Sequence, residues 1–219
     1  MFKVQAGPET GTDAYLRPET AQGVYINFLQ EFEVTRKKLP LGLAIIGKAF
    51  RNEISPRQLI NRQREFTQAE LQIFFDPEKA EEHPDWREAE NDKLVVLPVK
   101  NKTAKEITCN ELSKTVPKFF VYHMSKVQDF FLNVLQIPRD KFRMREIPKE
   151  KRAHYNKIHW DVELDLESLG GFREVAGIHY RTDYDLMGHQ KVSNKKQQVF
   201  YNEKRITPQC WSFHLVLTE

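Results

Sequence analysis

The sequence contains little cysteine, little glycine and no long apolar run. Cys109 and Cys210 are the two cysteines among 219 residues, so there is neither a disulfide framework nor a CxxC metal site. No apolar stretch approaches the length of a membrane span, and the first residues lack the basic-then-apolar pattern of a signal peptide. We therefore expect a soluble, cytoplasmic protein that does not contact a membrane.

Neither sign of charge is in large excess. The net charge is +3, from 34 Lys and Arg residues against 31 Asp and Glu residues. Dedicated nucleic-acid-binding domains usually carry a stronger basic excess, so this balance permits an RNA partner without requiring one. Hydrophobic residues make up 40% of the chain, which is enough to bury a sizeable core.

The hydrophobic pattern predicts an α+β fold built on an antiparallel hairpin. A helix should start near Pro18–Thr20. Residues 43–51 indicate a buried strand, and after a polar loop the alternating residues 64–75 indicate its partner. Residues 158–166 and 171–181 also alternate, so we expect them to continue the same sheet.

Composition changes after Asp76, where an acidic, helix-prone stretch begins. Residues 110–136 carry apolar side chains at roughly helical spacing, which is typical of a packed helix rather than a binding surface. We interpret residues 76–155 as an insertion subdomain between two parts of a core, 1–75 and 156–208.

The predicted hairpin carries side chains that suit a nucleotide and amino-acid site. Arg51 and Arg64 suit phosphate oxygens, because a guanidinium forms paired hydrogen bonds with them. Glu53 and Glu70 suit an ammonium group, and Phe66 offers a flat apolar face to a purine. Taken singly, each of the four charged residues is better explained by cross-strand ion pairs on a solvated face.

Their order along the chain resembles the class II glycyl-tRNA synthetases of the archaeal and eukaryotic α2 type. Residues 50–66 read FRNEISPRQLINRQREF and resemble the motif 2 of that family. Residues 16–23 read LRPETAQG and resemble its RPETAQG element. Residues 171–189 read GFREVAGIHYRTDYDLMGH and resemble its RTDYDL block. The resemblance implies a class II synthetase antiparallel sheet with flanking helices and an inserted subdomain.

The resemblance also implies ATP-dependent activation of glycine to glycyl-adenylate, followed by transfer to the acceptor end of glycine tRNA. It places Arg51 on the α-phosphate of ATP, where a fixed charge would stabilise the transition state. It places Phe66 against the adenine, Glu53 beside the nucleotide, and Arg62 or Arg64 near the outer phosphates. Mg²⁺ would enter bound to those phosphates.

A glycine pocket is implied by the same resemblance. Glu19 and Glu70 would surround the ammonium group, and Arg181 would hold the carboxylate. Such a pocket must exclude a β-carbon by its shape, because glycine offers little apolar surface to bind. Without the surrounding RPETAQG string, Glu19 is better explained as a carboxylate at a helix N-terminus. His179 stands where the family has a small residue, which would crowd the pocket.

The histidines do not have metal-ligand spacing. His154, His159, His179 and His189 are scattered along the chain without the short repeats typical of a zinc site. We therefore interpret them as structural side chains, and we expect no zinc.

The family pattern is not matched at either end of the chain. Motif 1, which builds the homodimer interface of the family, would precede the first residue. Motif 3 and the anticodon-binding domain would follow Pro208, but residues 209–219 depart from the pattern. We therefore expect a core fragment with little activity alone, and a tail that is frayed or attached to exposed apolar surface.

The departure in residues 209–219 has a simple hypothetical origin. A codon string for P-H-V-L-E-L-S-F-G-L-D-R-I, which resembles motif 3, becomes one for P-Q-C-W-S-F-H-L-V-L-T-E when one base is deleted, if synonymous codons are chosen freely. Phe213 is an exception, because its codon cannot supply the proline that is common there. The nucleotide sequence around the Gln209 codon tests this frameshift hypothesis.

Two alternatives to the ligase remain open from sequence. One is a non-catalytic, tRNA-binding relative of a synthetase. The other is a tRNA-independent ligase on the same fold that forms an aminoacyl-adenylate for a different acceptor. Motif 3 separates the first alternative from the ligase, because a complete site cannot form without the Arg, Glu and Ser of that motif. Acceptor assays with and without tRNA separate the second.

Overall fold

The structure is a computed structural model that describes residues 1–8, 11–56 and 63–217. Its strands are β1 (Lys3–Ala6), β2 (Thr12–Tyr15), β3 (Leu41–Phe50), β4 (Glu65–Phe75), β5 (Lys93–Leu97), β6 (Lys105–Thr108), β7 (Phe142–Glu146), β8 (Ile158–Leu166), β9 (Gly171–Thr182), β10 (Val199–Tyr201), β11 (Lys204–Ile206) and β12 (Gln209–Leu217). Its α-helices are α1 (Ala21–Val34), α2 (Trp86–Ala89), α3 (Cys109–Leu112), α4 (Lys118–Asp129) and α5 (Tyr184–Ser193). Short 3₁₀ helices and one π-helix are Pro77–Lys79, Arg139–Lys141, Lys149–Lys151, Glu167–Leu169 and, as the π-helix, Phe130–Val134.

Eight of these strands form one sheet in the order β3-β4-β12-β9-β8-β7-β5-β6. Neighbouring strands are antiparallel except β5 and β7, which are parallel. The predicted hairpin is confirmed, because β3 and β4 pair from Leu41 opposite Phe74 to Phe50 opposite Glu65. The prediction that its first strand is buried is wrong, because β3 is at the edge of the sheet and Ile46 is 70% exposed. The helix predicted to start near Pro18–Thr20 is α1, for which Thr20 is the N-cap residue.

The two faces of the sheet carry different side chains, because successive residues of a strand point to opposite sides. One face packs against α4 and the π-helix in the larger apolar core, which includes Trp160 and Ile178. The other face meets α1 and α5 in a smaller core around Tyr25, Phe28 and Phe74. Beyond that smaller core the second face is polar, and the candidate site lies there.

The predicted insertion, residues 76–155, shares the sheet and the core with the rest of the chain. Its strands β5, β6 and β7 extend the sheet beyond β8, and α4 covers the larger core. The helical pattern predicted for residues 110–136 begins in α3 and continues in α4 and the π-helix, with a non-helical break at 113–117 between them. The acidic stretch contains only short helical turns. Among the described residues, no helix is both long and apolar enough to cross a membrane.

The tail is not frayed, so that part of the sequence-based prediction is wrong. Strand β12 pairs with β4 along one side and with β9 along the other. Trp211 is 2% exposed and belongs to the larger core, and Phe213 and Leu215 pack against it. These apolar residues alternate with Ser212 and His214, which is the period of a strand buried on one face. This alternation is visible in the sequence and is the signal that indicates a strand here.

Candidate active site

Glu70 is a buried carboxylate on the polar face of β4, only 6% exposed. Its Oε1 accepts a hydrogen bond from the backbone nitrogen of Thr20 at 3.2 Å, and its Oε2 accepts one from Nε2 of Gln72 at 2.8 Å. Burial raises the pKa of Glu70, and the charge of Glu19 raises it further against the opposing effect of the Thr20 hydrogen bond. The buried Oε1 of Gln72 has no hydrogen-bond partner among the described residues. Two acceptors side by side suit an ammonium group.

Glu19 lies just before α1 and is tied to α5 through Gln22. Its Oε1 accepts a hydrogen bond from Nε2 of Gln22 at 3.0 Å. The same amide nitrogen is 3.2 Å from Oδ1 of Asp185, and Oε1 of Gln22 is 2.8 Å from Nε2 of His189. This network holds the segment around Glu19 beside the end of β9, where Arg181 lies.

Arg181 is a buried guanidinium, 5% exposed, with partners that fix its plane. Its Nε donates to Oδ2 of Asp185 and its Nη2 to Oδ1, each at 2.8 Å. The guanidinium carbon lies 4.1 Å from the ring centroid of Tyr155 and 5.5 Å from that of Tyr25. A guanidinium has five N–H donors, and Asp185 occupies only part of them. A guanidinium can also donate to a carboxylate ligand through N–H groups that Asp185 does not occupy.

The hairpin brings the predicted nucleotide-binding residues together. The guanidinium carbon of Arg51 lies 5.1 Å from the ring centroid of Phe66, which is 7% exposed. The backbone nitrogen of Arg51 donates to the backbone oxygen of Arg64 at 2.9 Å, and Nε of Arg64 donates to the backbone oxygen of Glu53 at 3.2 Å. Arg62 lies outside the described residues.

The segment before α1 lies against β3, which brings the two halves of the site close. The backbone nitrogen of Phe50 donates to the oxygen of Arg17 at 2.8 Å, and Nε of Arg51 reaches the oxygen of Pro18 at 3.4 Å. Glu19 follows directly. The residues predicted for phosphate and for glycine therefore meet on one polar face of the sheet.

Sequence reasoning missed three residues of this site. Asp185 and Tyr155 hold Arg181, and His214 stands opposite Glu70 in the β12–β4 pairing. Asp185 was open to prediction, because a carboxylate four residues after an arginine at a helix start is a common ion-pair spacing. His214 carried no such signal while residues 209–219 were interpreted as a frayed tail.

The sequence is similar to known synthetases over nearly its whole length. The model of the family described as "tRNA synthetase class II core domain (G, H, P, S and T)" matches residues 2–202. The glycine–tRNA ligase of Pyrococcus horikoshii is 42% identical over 95% of this chain. That of Methanothermobacter thermautotrophicus is 39% identical over 94%. The chain spans 40% and 37% of the lengths of these two relatives.

A solved structure has the same fold. Giardia lamblia prolyl-tRNA synthetase in complex with prolyl-adenylate superposes with a TM-score of 0.62 over 98% of this chain and 35% of that one. The two sequences are 16% identical, so this likeness shows the fold alone. The predicted class II synthetase fold is confirmed. Together with the family match, it establishes that the chain belongs to the class II tRNA synthetase core family, in which its curated relatives are glycine–tRNA ligases.

Proposed function

We propose that this chain forms the ATP- and glycine-binding face of a glycine–tRNA ligase. The observation that carries the proposal is the arrangement of buried charges on one polar face, with the Glu70 carboxylate on β4 and the Arg181 guanidinium on β9. The function of the curated relatives supports the same substrate.

Glycine would bind as a zwitterion between these charges. Glu70, Glu19 and the unpartnered Oε1 of Gln72 would accept hydrogen bonds from the ammonium group. N–H groups of Arg181 that Asp185 does not occupy would donate to the carboxylate. Opposite charges on opposite sides would fix the orientation of the amino acid in the site.

ATP would bind at the hairpin. Arg51 would hold the α-phosphate while a carboxylate oxygen of glycine attacks the phosphorus and pyrophosphate leaves, and its fixed charge would stabilise the transition state. Phe66 would meet the adenine, with Glu53, Arg64 and Arg62 nearby. Mg²⁺ would reach the site on the phosphates and neutralise their charge. The described residues contain no cluster of His, Cys, Asp or Glu side chains that could hold a metal alone.

The adenylate would then pass its glycyl group to a hydroxyl of the terminal ribose of glycine tRNA, with AMP as leaving group. The acceptor, like the homodimer of the family, stays a prediction for this chain. Transfer to tRNA distinguishes the ligase from a tRNA-independent enzyme on the same fold.

Binding and catalysis are tested separately. Glycylsulfamoyl-adenosine, a non-hydrolysable analogue of glycyl-adenylate, should bind the purified chain, and Arg181→Ala should weaken that binding more than Arg87→Ala, which alters an exposed arginine. Glycine-dependent ATP–pyrophosphate exchange then reports catalysis. Binding without exchange would identify a site that cannot complete the reaction alone. If the analogue binds neither the chain nor any variant, the proposed function is wrong.

A further inference from the structure

The position of β12 determines what lies beneath a bound amino acid. In the sheet β12 separates β4, which carries Glu70, from β9, which carries Arg181. A ligand that joins Glu70 to Arg181 must therefore cross β12, over two strand spacings or roughly 10 Å. It must also run along β12, because Glu70 is opposite His214 while Arg181 lies beside Cys210 and Trp211. Because Trp211 faces the opposite core, the side chains that β12 turns to this face are Cys210, Ser212 and His214. The Sγ of Cys210 lies 3.3 Å from the hydroxyl of Tyr25, which leaves Ser212 and His214 beneath the ligand.

His214 forms a fixed pair with His179 of β9. Nδ1 of His214 and Nε2 of His179 lie 2.9 Å apart, and the two rings are nearly parallel, with an interplanar angle of 14°. Nδ1 of His179 is 2.9 Å from Nδ2 of Asn156. With the Asn156 amide donating, His179 carries its proton on Nε2 and donates it to His214. The two rings are therefore held in one orientation rather than free to move aside.

Gly177 provides the space for this pair. A Cβ at position 177 would collide with the His214 ring and lie 2.8 Å from Nε2 of His179. The rings therefore occupy the space above β9 that the missing side chain of Gly177 leaves open. A bound amino acid cannot use that volume for its own side chain.

Both rings are neutral at pH 7. Burial lowers the pKa of His214 to about 4 and that of His179 well below its usual value. Neutral rings do not compete with the substrate ammonium for the Glu70 carboxylate. They occupy volume without adding positive charge to the ammonium pocket.

We propose that His214 and His179 form a rigid plate on the floor of the glycine pocket, and that this plate excludes amino acids with a β-carbon. The inference rests on the proposed function and names the residues that set its selectivity. His179 occupies a position where the family resemblance predicts a small side chain. The pocket of this chain is thus closed from the sheet side by imidazole rings.

Adenylate analogues test the plate without requiring catalysis. Kd would be measured for glycylsulfamoyl-adenosine and for its L-alanyl and D-alanyl counterparts, with the full chain. The parent should prefer the glycyl analogue by about tenfold or more, the discrimination that one methyl group allows. His214→Ala and His179→Ala should bind at least one alanyl analogue about tenfold more tightly than the parent does. His214→Asn, which keeps a hydrogen-bonding group in less volume, should be intermediate.

His83→Ala is the matched control, because His83 stacks on Tyr122 of α4 on the other side of the sheet. It should keep the parent's ratio of the Kd values. Thermal melts establish that each variant is folded before binding is compared. If the glycyl analogue binds but no His214 or His179 variant gains affinity for either alanyl analogue, the plate is not the selective element and only this inference fails. If no form binds the glycyl analogue, the proposed function fails and the inference with it.

Discussion

Each oxygen of the Asp185 carboxylate lies 2.8 Å from a nitrogen of the Arg181 guanidinium, and both side chains are at least nine-tenths buried. The two residues stand four apart, at the junction of β9 and α5. The pair cancels two charges that would be costly to bury singly. It also fixes the plane of the guanidinium on the face where the glycine carboxylate is proposed to bind.

Removing Asp185 should therefore destabilise the fold strongly. Asp185→Ala leaves Arg181 charged and buried without its partner, and such a loss costs about 3–5 kcal/mol. The free energy of unfolding from urea titration measures it. Glu167→Ala, which breaks the exposed pair with Lys141, should have little effect. An Asp185→Ala protein as stable as the parent would show that the pair is not buried as described.

Because His214 is buried in the histidine pair, the free energy of unfolding should depend on pH. An unfolded histidine has a pKa of 6.5, and His214 in the folded chain has one of about 4. The unfolded state therefore binds more protons between these values, and stability must fall as pH falls from 6.5 to 4. The contribution of His214 is fully present above pH 6.5 and amounts to as much as about 3 kcal/mol.

The difference between two variants isolates this contribution. His214→Asn should lose less stability than the parent between pH 6.5 and pH 4, as measured by urea titration at each pH. Ser212→Ala changes the same strand without removing a titrating group, so it should keep the slope of the parent. Equal slopes in all three proteins would mean that His214 is not held neutral by burial.

Nucleotide binding should depend on Arg51 and Phe66. Loss of a charge-assisted contact to phosphate costs about 1.5–3 kcal/mol, so Arg51→Ala should weaken ATP binding by roughly tenfold to a hundredfold. Phe66→Ala should also weaken it, by removing the ring under the nucleotide. Isothermal titration with ATP and Mg²⁺ gives both values. Unchanged affinity in both variants would place the nucleotide elsewhere.

Local patterns in the sequence predict the hairpin and its site residues well. Alternation in β4 places Glu70 on the face opposite Leu71, whatever the rest of the sheet does. The pairing of β12 between β4 and β9 is different, because it joins segments that lie far apart in the chain. No local pattern states which strands become neighbours. The His214–His179 contact depends on that pairing, and so it could not be predicted from sequence.

The Arg181–Asp185 pair lies between these cases. The four-residue spacing of the pair is visible in the sequence. Its burial depends on Tyr155 and Tyr25, which come from other parts of the fold. The resemblance to a family selects Arg181 as a ligand for a carboxylate. Only the structure shows how the chain holds it.

Whether β12 forms is the most decisive test of the structure. The family resemblance predicts a frayed tail at residues 209–219, whereas the structure has a strand paired on both sides. If the strand is formed, Trp211 packs in the larger core, with its ring 4.9 Å from His123 and 6.5 Å from Phe120. Trp211→Ala should then lower the free energy of unfolding by about 3–5 kcal/mol. Phe200→Ala is the control, because Phe200 is 63% exposed and its loss should cost little.

Hydrogen exchange measures directly whether the backbone amides of the same strand are protected. Amides of β12 that donate to β4 and β9 should be protected to about the same degree as those of β4, since all belong to the middle of one sheet. If residues 209–217 exchange as fast as an unstructured peptide and Trp211→Ala behaves like Phe200→Ala, the segment is frayed. That outcome would agree with the expectation from sequence, where residues 209–219 depart from the family pattern. The histidine plate would then lose its support as well, because His214 reaches the pocket only through this pairing.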